Sequence, residues 1–274
     1  MIELIKVIIL GIIEGVTEFL PVSSTGHLIV ATALLQPDLS AGSIETFQIF
    51  IQLGAVVAVI AYFWRDLLAK LIALPKDPAT QRFALALIVA FLPAAVVGFL
   101  LRSTIKEALF NPTVVAFSLI IGGVILIVVE KLPSVQVSAL GSLDFSTVSL
   151  PRALGIGFLQ IFALIPGVSR SAATIIGGML GGLNRETATA FSFYLAIPTL
   201  GLATIFDLLL SLDEVQSTDV PYFLIGAVVS GIVAWIMIRW LLQYVASHTY
   251  IPFGIYRILA GIVVLGLVAL GLFS

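Results

Sequence analysis

Glu14 and Glu18 stand four residues apart, and Ser23, Ser24, Thr25 and His27 follow within the next nine positions of an otherwise oily chain. Carboxylates at that spacing share one face of a helix. In apolar surroundings two of them need a cation or a proton between them. Oxygen ligands of this kind suit a hard divalent metal, and an arginine would serve as well. The three hydroxyls before Gly26 read as a turn whose O–H and backbone N–H groups face an anion. For any one of these serines alone, capping a helix is the commoner role. His27 lies one helical turn beyond Ser24, so the two side chains are placed to meet. That spacing suits a base or a proton donor to a leaving group.

A weaker echo lies near the middle of the chain, in Gln160 to Thr174, around Pro166-Gly167-Val-Ser169-Arg170-Ser171. One offset of 146 positions sets Glu14 on Gln160, Ser23 on Ser169 and Thr25 on Ser171. One copy is acidic and the other carries an arginine. Arg170 in so apolar a stretch needs a partner, and its planar fork matches phosphate bidentately. An ion pair with Glu14 or Glu18 is the structural alternative, and the two readings can coexist. Arg257, early in the last apolar segment, is a weaker candidate because it could snorkel to an interface. His248 sits between apolar segments and reads as solvated. Gly11, Gly15 and the glycines at 177–182 read as close helix contacts.

The elements that must hold these residues are membrane elements. Of 274 residues 60% are hydrophobic and only 10% charged, with mean hydropathy +1.20. A soluble domain carries roughly 25% charged residues. The net charge of −2 gives no reason to expect nucleic acid, and zero cysteines exclude disulfides and thiolate metal sites. The first residues lack the basic start and small-residue cleavage site of a signal peptide, so the first apolar segment is expected to stay.

Residues 3–20 are apolar apart from Glu3, Lys6, Thr17 and the two glutamates, and Pro21 stops or kinks that helix. Residues 25–35 form a second apolar piece. At 1.5 Å per residue it covers about 17 Å against roughly 30 Å of hydrocarbon, so it cannot cross alone. Residues 3–35 therefore read as a re-entrant hairpin. Spans are expected at 45–64, 83–101 and 113–129, with a polar loop (Lys70, Lys76, Asp77, Arg82) after the first. Arg102, Lys106, Glu107 and Asn111-Pro112 separate the other two. A polar linker, 132–150, divides a first repeat (1–131) from a second (151–274). The second repeats the plan, with a hairpin at 153–183, broken at Pro166-Gly167, and spans at 187–210, 221–243 and 251–273.

Each half then holds one re-entrant pair and three crossings. Three is odd, so the second half is inverted. The expected fold is all-α: a polytopic membrane protein of two inverted repeats, whose broken helices meet near the midplane at Pro21–His27 and Pro166–Thr174. Arg65, Lys70, Lys76, Arg82, Lys131, Arg152, Arg185 and Arg239 fall on one side. Lys6, Arg102, Lys106 and an acidic loop (Asp213, Glu214, Asp219) fall on the other. By the positive-inside rule the first side is cytoplasmic, and both termini and the mouth of the first hairpin are outside.

The blocks Glu14–His27 and Pro166–Thr174 resemble the signatures of the bacterial undecaprenyl-diphosphate phosphatases, the bacitracin-resistance type. That family shows E-G-x-T-E-F-L-P-V-S-S-T-G-H and P-G-x-S-R-S-x-x-T, and both stand here without departure. Glu45 to Gly54, Asn111-Pro112, Phe191-Ser-Phe and Ile251 to Arg257 are also similar to the family. The resemblance implies hydrolysis of undecaprenyl diphosphate to undecaprenyl phosphate and inorganic phosphate, which recycles the lipid carrier of peptidoglycan synthesis and confers bacitracin resistance. It implies a divalent cation (Mg²⁺ or Ca²⁺), a polyprenyl diphosphate substrate, and a site facing the outer side of the bacterial plasma membrane. A homo-oligomer is left open.

Carried onto this chain, the resemblance implies that Glu14 and Glu18 hold the cation, or that Glu18 takes a proton. Ser24 is the nucleophile or the hydroxyl closest to phosphorus, with His27 assisting it or protonating the leaving oxygen. Arg170, Ser169, Ser171 and Thr174 bind diphosphate oxygens, with Ser23 and Thr25 from the first turn and Arg257 from the last span. The rival reading is a lipid-phosphate flippase, which would use the same arginine–phosphate contacts but has no need of the serine–histidine–glutamate cluster.

Overall fold

A computed structural model describes residues 1–38, 41–138, 142–211 and 217–271. Among these residues the chain is helical and contains no strand. Six helices are long and apolar enough to cross a membrane. They are α3 (Ala41–Tyr62), α5 (Pro78–Leu109), α6 (Pro112–Glu130), α10 (Arg185–Ser211), α11 (Val220–Val245) and α12 (Ile251–Ala269). The remaining helices are α1 (Ile2–Thr17), α2 (Ser24–Leu35), α4 (Trp64–Ala73), α7 (Pro133–Ser138), α8 (Leu150–Ile161) and α9 (Arg170–Leu180). The protein is thus an all-α polytopic membrane protein.

Capping chemistry sets the starts of two spans. Asn111 accepts from the amide of Val114 at 2.9 Å and Asp77 from those of Ala79 and Thr80. Each is followed by a proline at the first helical position, where no N–H is needed. Two expectations are corrected. The polar loop after residue 64 is largely the amphipathic helix α4, which turns its apolar residues Trp64, Leu68, Leu71 and Ile72 outward. The span expected at 83–101 is a 32-residue helix that runs on through Arg102. No breaker intervenes before Asn111-Pro112, and Arg102 is paired with Asp207 of α10 at 2.6 Å. Of the expected acidic loop, Asp213 and Glu214 lie outside the described residues, as does the end of the 251–273 span.

The short helices form two hairpins. Lys6 on α1 donates to the Gln36 carbonyl, and Glu3 accepts from the Asp38 amide. The start of α1 therefore lies beside the end of α2. Arg152 at the start of α8 likewise lies against Gly181 and Gly182 at the end of α9. Each hairpin leaves on the face by which it enters. Across the bundle, α1 packs on α11, α8 on α5, α3 on α10 and α11, and α6 on α12. Glycines permit the closest approaches. A Cβ at Gly15 would sit 2.6 Å from the Ser230 carbonyl oxygen, and one at Gly157 would sit 2.7 Å from that of Ala90. Nine consecutive residues of α9, Ser171 to Met179, are buried.

Candidate active site

The sequence Phe-Leu-Pro after Glu18 ends α1, and Pro166-Gly167 ends the corresponding element of the second hairpin. Both breaks are followed by a serine in a backbone conformation that L residues avoid. Ser23 has φ 73° and Ser169 has φ 75°, each costing of order 1–3 kcal/mol. Each then caps the next short helix. The Ser23 hydroxyl accepts from the Gly26 amide, and that of Ser169 from the Ala172 amide. The result is two helix N-termini aimed at one place, with positive dipole ends and free N–H groups.

The two tips meet. Arg170 Nη2 donates to Glu18 Oε1 at 3.1 Å, and Ser24 Oγ donates to Glu18 Oε2 at 2.6 Å. Ser171 Oγ donates to the Leu20 carbonyl at 2.8 Å. Arg170 Nη1 also donates to the Ser192 carbonyl of α10, and its guanidinium lies over the Phe19 ring. A polar cavity of about 130 Å³ opens here, lined by Glu18, Ser23, Ser24, Thr25, Ser169, Arg170 and Gln52 of α3, among others. A larger groove, lined by Phe99, Leu100, Arg102, Ser103 and Glu107 of α5, brings no comparable chemistry together.

Glu14 is buried one turn before Glu18, and neither of its carboxylate oxygens has a hydrogen-bond partner. Gln160, its counterpart in the second hairpin, is equally buried but satisfied: it donates to the Ala90 carbonyl and accepts from Thr199. The two positions thus differ in hydrogen bonding as well as charge. Glu14 is a carboxylate left without a protein partner, which a cation or a proton must neutralise. No cluster of three or more His, Cys, Asp or Glu side chains exists among the described residues. A hard cation held by one or two carboxylates, with the remaining positions left to water and phosphate oxygens, fits this donor set.

His27 does not meet Ser24. Its Nδ1 lies 2.7 Å from the Ser23 carbonyl, which can only accept, so Nδ1 carries a proton. In the neutral ring Nε2 then accepts from the Tyr256 hydroxyl at 2.5 Å, and the two rings stack nearly parallel. Ser24 turns instead to Glu18, because the left-handed Ser23 swings its neighbour's side chain across the break.

Three other expected ligands also lie outside the cavity lining. Thr174 Oγ1 bonds to Ser192 Oγ and to the carbonyls of Arg170 and Ser171. Ser171 Oγ is shared between Leu20 O and Ser169 Oγ. Arg257 does not snorkel. It is fully buried, and its guanidinium donates to the carbonyls of Pro21, Gly167, Ser118 and Leu119. It pins both helix breaks to α6 from a single centre. Sequence reasoning missed Gln52, Ser192 and Tyr256. For the first two there was a usable signal, a polar side chain in the middle of an apolar span.

A membrane fold with two hairpins of short helices, whose tips join a carboxylate, a hydroxyl and an arginine, defines a class of polytopic membrane protein with a polar site enclosed among apolar helices. The family model of the bacitracin resistance protein BacA matches residues 7–263. Curated relatives named undecaprenyl-diphosphatase are 48% identical in Albidiferax ferrireducens and 49% in Polaromonas naphthalenivorans, each over 96% of this chain and 94% of the relative. The one from Deinococcus radiodurans is 44% identical over 96% of this chain and 95% of its own length. The chain belongs to the BacA family.

Proposed function

We propose that this chain is an integral membrane phosphatase that hydrolyses undecaprenyl diphosphate to undecaprenyl phosphate and inorganic phosphate. The observation that carries the chemistry is the string Ser24–Glu18–Arg170, at 2.6 and 3.1 Å. It sets a nucleophile, its base and an anion receptor on one small cavity. The family match and the names of the relatives support the substrate.

The terminal phosphoryl group sits between the two helix N-termini, with Arg170 sharing its fork between Glu18 and phosphate oxygens. Ser24 Oγ attacks phosphorus in line, and its proton passes to Glu18. The bridging P–O bond breaks and undecaprenyl phosphate leaves with the bond's electron pair. Glu18 passes that proton to solvent; water then attacks the phosphoserine, Glu18 accepting its proton and handing it to Ser24 Oγ as the Ser24 O–P bond breaks, and inorganic phosphate is released. His27, held by Ser23 and Tyr256, stands to the side of this string and serves the leaving oxygen rather than Ser24. Glu14 and Glu18 would hold a divalent cation, Mg²⁺ or Ca²⁺, which supplies charge neutralisation for the diphosphate. A flippase would need the arginine but not a serine hydrogen-bonded to a buried carboxylate, so the phosphatase is preferred.

The same reading includes two inverted repeats in a bacterial plasma membrane. Supporting it, Glu130 at the end of α6 pairs with Arg185 at the start of α10 and accepts from the Tyr250 amide at the start of α12. The Arg102–Asp207 pair joins the far parts of α5 and α10. Counterpart spans α6 and α12 thus run in opposite directions. The excess of basic residues on the Arg185 side makes that side cytoplasmic, with the cavity and both termini served from outside.

The test is phosphate release from undecaprenyl or farnesyl diphosphate by the purified protein in detergent, with and without EDTA. Cation-dependent release that Arg170→Ala and Ser24→Ala abolish is expected. A folded wild type that releases none would end the enzyme reading and return the flippase.

A further inference from the structure

Two cavity-lining residues come from neither hairpin, Leu200 of α10 and Gln52 of α3, and Gln52 is the polar one, which the catalytic string does not use. It lies midway along α3, a full span, and lines the same cavity as Glu18, Ser24 and Arg170. Its carboxamide makes no hydrogen bond among the described residues. The contrast with its neighbours is sharp. Gln48, one turn earlier on the same helix, donates to Thr32 of α2 at 3.2 Å, and buried Gln160 has both ends engaged. Most other polar groups around the cavity are already taken. Ser24 and Arg170 are on Glu18, and the Ser23 and Ser169 hydroxyls each accept from a helix amide. An amide in an apolar span without a partner costs free energy, unless its partner is what the cavity receives.

The geometry points to Gln52 as a phosphate-positioning residue: its Nε2–H groups donate to non-bridging oxygens of the terminal phosphoryl group in the cavity it shares with Arg170. This rests on the phosphatase reading and deepens it. Two hairpin tips contribute charge and the nucleophile from above and below. A neutral fork from a rigid span fixes the rotation of the phosphoryl group, so that phosphorus presents its face to Ser24 Oγ. A neutral donor suits the place because Arg170 already balances Glu18, and a second cation would hold the product phosphate too tightly.

Gln52→Leu and Gln52→Glu separate contact from packing. For each, kcat and KM with farnesyl diphosphate, inhibition by inorganic phosphate, and the melting temperature with and without added phosphate are measured on the purified protein. Loss of one hydrogen bond to an anion corresponds to about tenfold or more in affinity. Gln52→Leu is expected to raise the phosphate inhibition constant and lower kcat/KM by about that factor, with the ligand-free melting temperature unchanged or raised. Gln52→Glu, which sets a like charge against phosphate, is expected to do so by about a hundredfold. Inhibition constants within twofold of wild type in both variants overturn the assignment. If Gln52→Leu melts early, Gln52→Glu decides, because it keeps shape and polarity. An inactive wild type would count against the phosphatase, and the shift in melting temperature caused by phosphate would still report whether Gln52 touches it.

Discussion

Ser24 and Arg170 occupy the same place in their respective hairpins. Each is the first residue of a short helix, each follows a serine held at φ near 75°, and each reaches one oxygen of Glu18. One local backbone device, used twice, delivers a hydroxyl from one hairpin and a guanidinium from the other. The first prediction tests that pairing. Breaking a buried ion pair by removing one partner costs about 3–5 kcal/mol, and the Arg170 and Glu18 side chains are only 9% and 4% exposed. Arg170→Ala is therefore expected to lower both stability and kcat. Arg170→Ala/Glu18→Ala should regain much of the stability and none of the activity, in paired melting and phosphate-release measurements.

Ser24→Ala removes the hydroxyl proposed to attack phosphorus but leaves the cavity otherwise intact. Its kcat is expected to fall at least about a thousandfold, of the order seen when key catalytic groups are deleted, with a melting temperature near wild type. Retention of substantial turnover in Ser24→Ala would move the nucleophile from serine to water held by Glu18.

Tyr256 is 46% exposed, yet among the described residues it is the sole side-chain hydrogen-bond partner of His27. Tyr256→Phe keeps the stacked ring and loses the hydroxyl. One neutral hydrogen bond is worth about 1 kcal/mol, so kcat is expected to fall about fivefold while KM stays the same. His27→Ala, which removes the imidazole altogether, should cost much more. Equal losses in the two variants would mean that Tyr256 does more than orient the ring.

Arg257 is a fastener in this structure. Lysine cannot span its four carbonyl partners, so Arg257→Lys is expected to destabilise by about 2–4 kcal/mol, read as a lower melting temperature in detergent. Gly122→Ala should act in the same direction from the other side, because a Cβ there would collide with the guanidinium. A variant of either kind that melts as wild type does would contradict this role.

Glu14→Gln tests the unpartnered carboxylate. It is expected to raise the Mg²⁺ or Ca²⁺ concentration needed for half-maximal turnover at least tenfold, and to leave the fold stable or slightly more so, since a buried charge is removed. An unchanged cation requirement would assign the cation to Glu18 alone.

The sequence by itself determined the class of fold and the two places where chemistry could occur. Composition demands a membrane, and segment lengths separate six helices long enough to cross from the shorter ones. Hydroxyls, carboxylates and an arginine beside proline breaks mark the tips, because such groups are too costly in hydrocarbon to stand there idle. Helix extent was less legible where charge was read as loop. Arg102 stays helical because Asp207, 105 residues away, balances it, and α4 lies along its own apolar face rather than forming a connection. Which polar atom meets which was decided only in three dimensions. Spacing put His27 on Ser24, whereas the left-handed Ser23 gives Ser24 to Glu18 and leaves His27 to Tyr256. Arg257 looked able to snorkel, and only the convergence of two breaks and α6 shows four carbonyls awaiting it. Gln52 became part of the site for the same reason: a span distant in sequence passes the point where the hairpins meet. Local pattern reports what a residue costs where it stands, but its partner is set by packing between segments, which no spacing within one segment encodes.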